Sequence, residues 1–261
     1  MKSLETAVSV LKTFISEDGD LSVNDVVERS GLKKSHVSKI LSSLRKEGFL
    51  EQDPRTRRYS VGVDAFELGT RYIVRSQVAR DALPIMRQLV DLCGHSATLS
   101  TLRGEHVLHI MAVEGPHFID GRWRVGNRLP IHATAAGQVM LSFMDAQRRD
   151  SILAGLNLTS ITDRTITDMS RFRSVLNEVA ASGCSTTRGE SAPGLAALAV
   201  PLLGEEGALD YALGIVLPDP LLDEEDPARI KDWLFASARR LSLKLGASAY
   251  PFGTISMEAA G

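Results

Sequence analysis

Residues 21–62 read LSVNDVVERSGLKKSHVSKILSSLRKEGFLEQDPRTRRYSVG, and this stretch decides the fold of the N-terminal part of the chain. Ser22 stands where an N-cap belongs, with Asp25 three residues on as its capping-box partner. The spacing predicts a short helix to about Arg29, broken by Ser30, Gly31 and Leu32. From about Lys33 to Glu47, Val37, Ile40, Leu41 and Leu44 recur at i, i+3, i+4 and i+7, the apolar stripe of another helix, and Gly48 occupies the C′ position. Residues 49–52 and 57–61 then read as strands around the turn Asp53-Pro54-Arg55-Thr56, which has proline at its second position. Upstream, residues 3–17 place Leu4, Ala7, Val8, Leu11, Phe14 and Ile15 on one helical face. Helix, helix, turn, helix, hairpin is the order of a winged helix-turn-helix.

Charge says what such a domain would bind. Between residues 33 and 58, eight basic side chains face three acidic ones, a local excess of five in a chain whose net charge is −2. A basic patch on an otherwise acidic protein is the electrostatic footprint of phosphate binding. The outer face of the helix from Lys33 carries Lys34, Ser35, Ser38, Lys39 and Ser42, with Lys33 and His36 near its start, and Arg55, Arg57 and Arg58 sit at the hairpin tip. Such side chains reach base edges and phosphates in a major groove, while arginines on a wing suit backbone or minor-groove contacts. The competing readings are a solvated helix face beside an ordinary surface hairpin, or a winged helix that binds only protein.

The 261 residues suit two domains, and 44 % hydrophobic residues supply a sizeable core. We expect a winged helix-turn-helix at 1–62, a linker helix at 63–80 (helical pattern over 64–80), an effector-binding domain at 81–250 and a loose tail at 251–261. Within the third part, helices at 83–93, 134–144, 145–154, 168–182 and 226–245 alternate with strands at 96–102, 106–112, 196–202 and 211–217. This is an α+β pattern, an antiparallel sheet flanked by helices. Cys93 and Cys184 build neither a disulfide framework nor a CxxC pair, no signal peptide is visible at the N-terminus, and no apolar run is long enough for a membrane span, so a cytoplasmic protein is expected.

The stretch at 21–62, together with LPIHATAAGQVML at 129–141, GCSTTRGESAPGLAALAVPL at 183–202 and YALGIVLP at 211–218, resembles the IclR family of bacterial regulators over about residues 3–248. The resemblance implies a dimeric winged-helix unit, a linker helix and a GAF-like effector domain, assembled as a homodimer or a dimer of dimers. It implies double-stranded, palindromic operator DNA as one partner and a small organic acid as effector.

Residues 129–141 read as a strand-to-helix corner in which Ile131 leads to Ala135, Ala136 and Gly137, whose amides would lie free at a helix N-terminus, a natural seat for a carboxylate. Tight packing of a small-residue helix explains the same pattern from spacing alone; the resemblance favours the carboxylate site. It also marks departures. Thr187 stands where many members have aspartate, Ala197 where they often have cysteine, and Gly214 and Val216 where two serines are frequent. This depleted polar lining predicts a less polar effector, an aromatic or longer carboxylate, walled by Leu99, Ile110, Phe118 and Trp123. Glu190 matches a frequent family acid and is expected to order the loop 186–194, while Arg122, Arg124 and Arg128 read as surface charges. Five histidines (95, 106, 109, 117 and 132) show no short ligand spacing, and neither metal nor cofactor is expected. Two rival functions are an enzyme with a regulatory domain, unsupported by any GxSxG, P-loop or GxGxxG motif, and a DNA-binding protein whose second domain only oligomerises.

Overall fold

The computed structural model describes residues 2–15, 19–116 and 125–253. Phe118, Trp123, Arg122, Arg124 and residues 254–261 of the expected tail lie outside them. The chain divides into two compact units, Met1–Ser76 and Gln77–Gly261.

The first unit contains α1 (Lys2–Lys12), α2 (Val23–Ser30), α3 (Lys34–Lys46), an antiparallel hairpin of β1 (Leu50–Gln52) and β2 (Tyr59–Val61), and α4 (Val63–Arg75). The Ser22 box forms in full: Asp25 N donates to Ser22 Oγ at 3.2 Å and Ser22 N donates to Asp25 Oδ2 at 2.8 Å. Gly31 ends α2 in the left-handed region at φ 67°. Val10, Phe14, Leu21, Val26, Val37, Leu41, Leu50 and Tyr59 form the core, and Leu21 bridges Tyr59 so that the hairpin is tied to the approach of α2. The first helix is shorter than the predicted 3–17. Thr13 Oγ1 and Thr13 N both bond the Val10 carbonyl, and i→i+3 bonds at Phe14 and Ile15 tighten the chain into turns while Phe14 stays buried.

The predicted helix 64–80 is interrupted. Ser76 takes extended backbone angles (φ −73°, ψ 112°), and α5 (Gln77–Cys93) starts immediately after it, carrying Pro84 inside. The sequence pattern alone starts this helix at 83, just ahead of that proline. Packing overrides the lost hydrogen bond: Ala79, Ala82, Ile85, Met86, Leu89 and Val90 form one buried face that runs straight through Pro84. By contrast, α4 buries no residue.

The second unit is built on a six-stranded antiparallel sheet of β3 (Ser96–Arg103), β4 (His106–Val113), β5 (Arg128–Pro130), β6 (Ser185–Arg188), β7 (Leu195–Gly204) and β8 (Gly207–Pro218), in the order β5-β4-β3-β8-β7-β6. One face is covered by α5 and by α10 (Pro227–Lys244); the other takes α6 (Ala135–Phe143), backed by α8 (Met169–Ser182). Two further helices, α7 (Ala146–Gly155) and α9 (Leu221–Glu224), complete the unit. Small residues explain how α6 approaches so closely. Ala197, Ala199 and Ala212 of the sheet meet Ala135, Ala136, Val139 and Met140 of the helix in one core. A 3-10 turn over Ile131–Ala133 leads into α6, and Gly137 is the residue that permits it, because a methyl group there would collide with the Ile131 carbonyl oxygen.

Candidate functional site

The first candidate surface is the outer side of α3. Lys33, Lys34, Ser35, His36, Ser38, Lys39 and Ser42 are all exposed or half-buried, whereas Val37 and Leu41 are fully buried on the opposite side. No acid occupies the first turn, and neither Lys33, Lys34 nor Lys39 forms an ion pair with a described residue. The helix therefore offers its cations and its positive dipole end to solvent, as an element that enters a groove must.

At the hairpin tip, Asp53 Oδ1 accepts from Arg55 N at 2.7 Å and Thr56 N at 2.8 Å, and these bonds hold its carboxyl below the usual carboxylate range. Arg57 sits at φ 60°, the single positive-φ non-glycine residue among those described. Its carbonyl accepts from Gln52 Nε2 at 2.9 Å, which helps to fix that conformation. Glycine would fill this position with less strain, so the guanidinium is kept there at a conformational cost. Arg58 corrects the sequence reading. Its Nη2 pairs with Asp25 at 2.8 Å and its Nε donates to the Asp20 carbonyl at 2.9 Å, so it clamps the hairpin to α2 and is not a spare cation for DNA.

The second candidate is a recess between α6 and the sheet, lined by Thr98, His109, Thr134, Ala135, Ala136, Ala197, Leu198, Ala199, Gly214, Ile215 and Val216. It is narrow, with a cavity volume of about 10 Å³. As it stands it seats a water, and an organic ligand must widen it. Five residues expected from sequence meet here: Ala135, Ala136, Ala197, Gly214 and Val216. Gly137 is a correction, because its amide donates to the N-cap hydroxyl of Thr134 at 3.1 Å. The amides of Ala135 and Ala136 make no hydrogen bond to a described residue and remain for a ligand.

Leu99 and Ile110 are corrections as well. Neither lines the recess: side chains alternate along a strand, so with Thr98 facing it Leu99 points to the α5 side, and Ile110 sits at the irregularity where the β3–β4 register shifts. Ile131 is wholly buried beneath α6 and outside the recess. Thr187 pairs with Ala197 across β6 and β7, on the face of α6 but also outside it. Arg128 is exposed on the edge strand β5. Sequence reasoning missed Thr98, His109 and Thr134. The available signal was the hydroxyl pair Thr98 and Ser100 at period two on β3, opposite glycine and alanine on β8. His109 Nδ1 bonds Ser100 Oγ at 2.7 Å, and burial pushes the imidazole down to about 4, so it is neutral near pH 7.

Glu190 braces this corner from behind. Its carboxylate accepts from Gln138 Nε2 at 3.1 Å, Ser185 Oγ donates to Gln138 Oε1 at 2.6 Å, and Thr165 Oγ1 donates to the Glu190 carbonyl at 2.7 Å. Burial raises its pKa from 4.5 to about 7, against the opposing pull of Gln138 and Arg171. Folding thus raises the pKa of an acid, so the native state holds the proton more tightly and stability falls as pH rises from about 4.5 to about 7, levelling off above. Glu190→Gln keeps a partner for Gln138 and removes the charge. It should be more stable than the parent at about pH 8 and show a flatter pH profile in urea unfolding; an unchanged profile would assign the slope to other groups.

Two family models match the chain. One, described as the helix-turn-helix domain of IclR, covers residues 3–54, and one, described as the C-terminal part of the bacterial transcriptional regulator IclR, covers residues 70–243. The chain belongs to the IclR family. This IclR protein is a ligand-responsive, DNA-binding transcriptional regulator. It is 28 % identical over 256 residues to the transcriptional regulator KdgR of Escherichia coli, covering 96 % of this chain and 97 % of that one. An IclR regulator from Alicyclobacillus acidocaldarius superposes with a TM-score of 0.83 at 28 % identity, over 94 % of this chain and 99 % of that one. The fold is shared by an IclR homologue from Microbacterium hydrocarbonoxydans complexed with 4-hydroxybenzoate, with a TM-score of 0.79 at 23 % identity, over 93 % and 98 % of the two chains. Among the described residues there is no group of three His, Cys, Asp or Glu side chains able to hold a metal, and no helix long and apolar enough to cross a membrane.

Proposed function

We propose that this IclR regulator senses a monocarboxylate with an apolar body in the recess beneath α6, and that it acts in the cytoplasm as a homodimer, or a pair of dimers, on palindromic operator DNA. The observation that carries the effector class is the make-up of the recess. Two helix-N-terminal amides supply its positive pole, no Asp, Glu, Lys or Arg is among the described lining residues, and alanine, valine, leucine and isoleucine dominate them. A small, strongly hydrated acid would leave most of its oxygens without partners there. The homologue that carries 4-hydroxybenzoate supports an aromatic acid of this kind.

The homodimer is supported by apolar side chains left uncovered in the first unit. Leu4 and Val8 on α1, and Phe66, Leu68, Tyr72 and Val74 on α4, are all exposed, with Phe66 at 70 %. An exposed apolar area of this kind suits a second copy of the chain. Two α3 helices brought into fixed separation would then match two half-sites. A ligand that fits only the widened recess would bias the second unit toward one packing, and by linkage change DNA affinity.

Thermal unfolding in a panel of benzoate, 4-hydroxybenzoate, glyoxylate and pyruvate tests the effector class. Binding to the native state alone raises the melting temperature, by an amount equivalent to about 2.7 kcal/mol at a hundredfold excess over Kd. The aromatic acids should raise it and the two small acids should not. A rise confined to glyoxylate or pyruvate would overturn the effector class.

A further inference from the structure

Three polar side chains line the recess: Thr134 Oγ1 accepts from the amide of Gly137, His109 bonds Ser100 through Nδ1, and Thr98 is the one aliphatic hydroxyl left over. The third, Thr98 on β3, is 4 % exposed, and its Oγ1 makes no hydrogen bond to a described residue. The hydroxyl is therefore open to a partner, water or a ligand oxygen, in the recess that Thr98 lines. Thr98 pairs with Gly214 on β8, so the two positions lie side by side on the same face of the sheet. A Cβ at position 214 would lie 3.0 Å from Thr98 Oγ1 and 3.1 Å from the Leu198 carbonyl oxygen. The Thr98 hydroxyl and a side chain at 214 therefore compete for one volume, and in this chain the hydroxyl holds it.

We infer that Thr98 is the specificity-determining residue of the recess, hydrogen-bonding an uncharged oxygen of the effector while the Ala135 and Ala136 amides hold its carboxylate. This rests on the carboxylate reading above and narrows it to a monocarboxylate with one additional hydroxyl or keto oxygen. A second charge on the ligand would find no counter-charge among the described lining residues. The glycine at 214 is part of the same device, because it gives the Thr98 hydroxyl room to turn into the recess.

The test is calorimetry on the full chain with benzoate and its ortho, meta and para hydroxy derivatives as probes. At least one hydroxy isomer should bind the parent about 10-fold more tightly than benzoate, the scale of one hydrogen bond to a buried group. Thr98→Val keeps the shape and removes the hydroxyl. It should bring that isomer to the level of benzoate and leave benzoate itself within about 2-fold. Thr98→Ser should behave as the parent. Should Thr98→Val fold poorly, the exchange Thr98→Gly with Gly214→Ser, which moves the hydroxyl to the next strand, is expected to restore selectivity for a hydroxy isomer over benzoate. Benzoate binding with no gain for any hydroxy isomer, or equal weakening of all probes by Thr98→Val, overturns the role of Thr98 and leaves the carboxylate reading standing. No binding of any probe to the parent overturns the carboxylate reading and the inference together.

Discussion

Gly137→Ala is expected to destabilise the second unit by about 1–3 kcal/mol, the range for overpacking a close-packed core. Helix propensity alone gives the opposite sign, since alanine in a helix is favoured over glycine by about 1 kcal/mol. The clash decides the outcome. The new methyl group would meet the Ile131 carbonyl oxygen and the Thr134 hydroxyl, which flank and form the 3-10 turn that launches α6. That turn cannot retreat freely, because Ile131 is wholly buried and His132 Nε2 lies 3.0 Å from the Thr159 carbonyl oxygen. Gly155→Ala serves as the matched control. It lies in α7, and an added Cβ would meet only Glu105 Oε1, at 3.6 Å, so that variant should be neutral or slightly more stable. Urea unfolding of both variants separates the two effects. In Gly137→Ala the misplaced amides of Ala135 and Ala136 should also abolish the melting-temperature rise with aromatic carboxylates. A Gly137→Ala protein as stable as the parent would show that the α6 corner is looser than the packing indicates.

The second large effect concerns DNA. Lys34→Ala combined with Lys39→Ala should flatten the dependence of log affinity on log salt by close to two units, about 0.9 for each phosphate that is no longer neutralised. Affinity should fall for all sequences alike, because phosphate contacts position the protein without reading bases. Neither lysine is paired with any described acid, so neither change removes a structural ion pair. Arg57→Gly should lower the slope by about one unit more with no loss of stability, since glycine accepts the positive φ at that position without strain. Arg58→Ala should differ from all of these. It breaks the clamp to Asp25 and Asp20 and should loosen the hairpin itself. Fluorescence anisotropy over a salt series, paired with thermal unfolding of each variant, checks the set. An unchanged slope in the double lysine variant would place the phosphate-binding side chains elsewhere.

Much of the first unit was legible because its signals are local. The Ser22–Asp25 box, Gly31 and the stripe of Val37 and Leu41 each act within one or two helical turns, and the structure places α2 and α3 within a residue or two of the expected bounds. The end of α1 and the break at Ser76 depend on packing farther along the chain, and no glycine or proline marks the break at Ser76. In the second unit the sheet is covered on both faces, so nearly every residue of β3 is buried and hydrophobicity cannot tell one face from the other. That is why Leu99 and Ile110 looked like pocket walls, while their neighbours Thr98 and His109 hold that place. Strand β6 is hidden for a related reason. Its inward residues Ser185 and Thr187 are polar, and Ser185 is buried at no penalty because Gln138, 47 residues away in sequence, accepts its hydrogen bond. Arg58 looked like one of three equivalent wing cations; its partner Asp25, 33 residues away, comes beside it only in the folded chain.

All of the regulatory reading depends on the exposed face of α3 lying in a groove of duplex DNA. The direct measurement is cleavage by an iron chelate tethered at Ser38→Cys, using duplexes that the protein itself selects from a random-sequence pool. The native cysteines interfere little, since Cys93 is buried and burial raises the Cys184 thiol to about 11. Strand breaks should fall in two clusters about one helical turn apart, or a whole multiple of that, centred on the major groove of each half-site. A chelate at Glu67→Cys, on the exposed face of α4, should leave those positions uncut. Tight binding with no cleavage from position 38, or breaks arising from position 67 alone, would remove α3 from the groove.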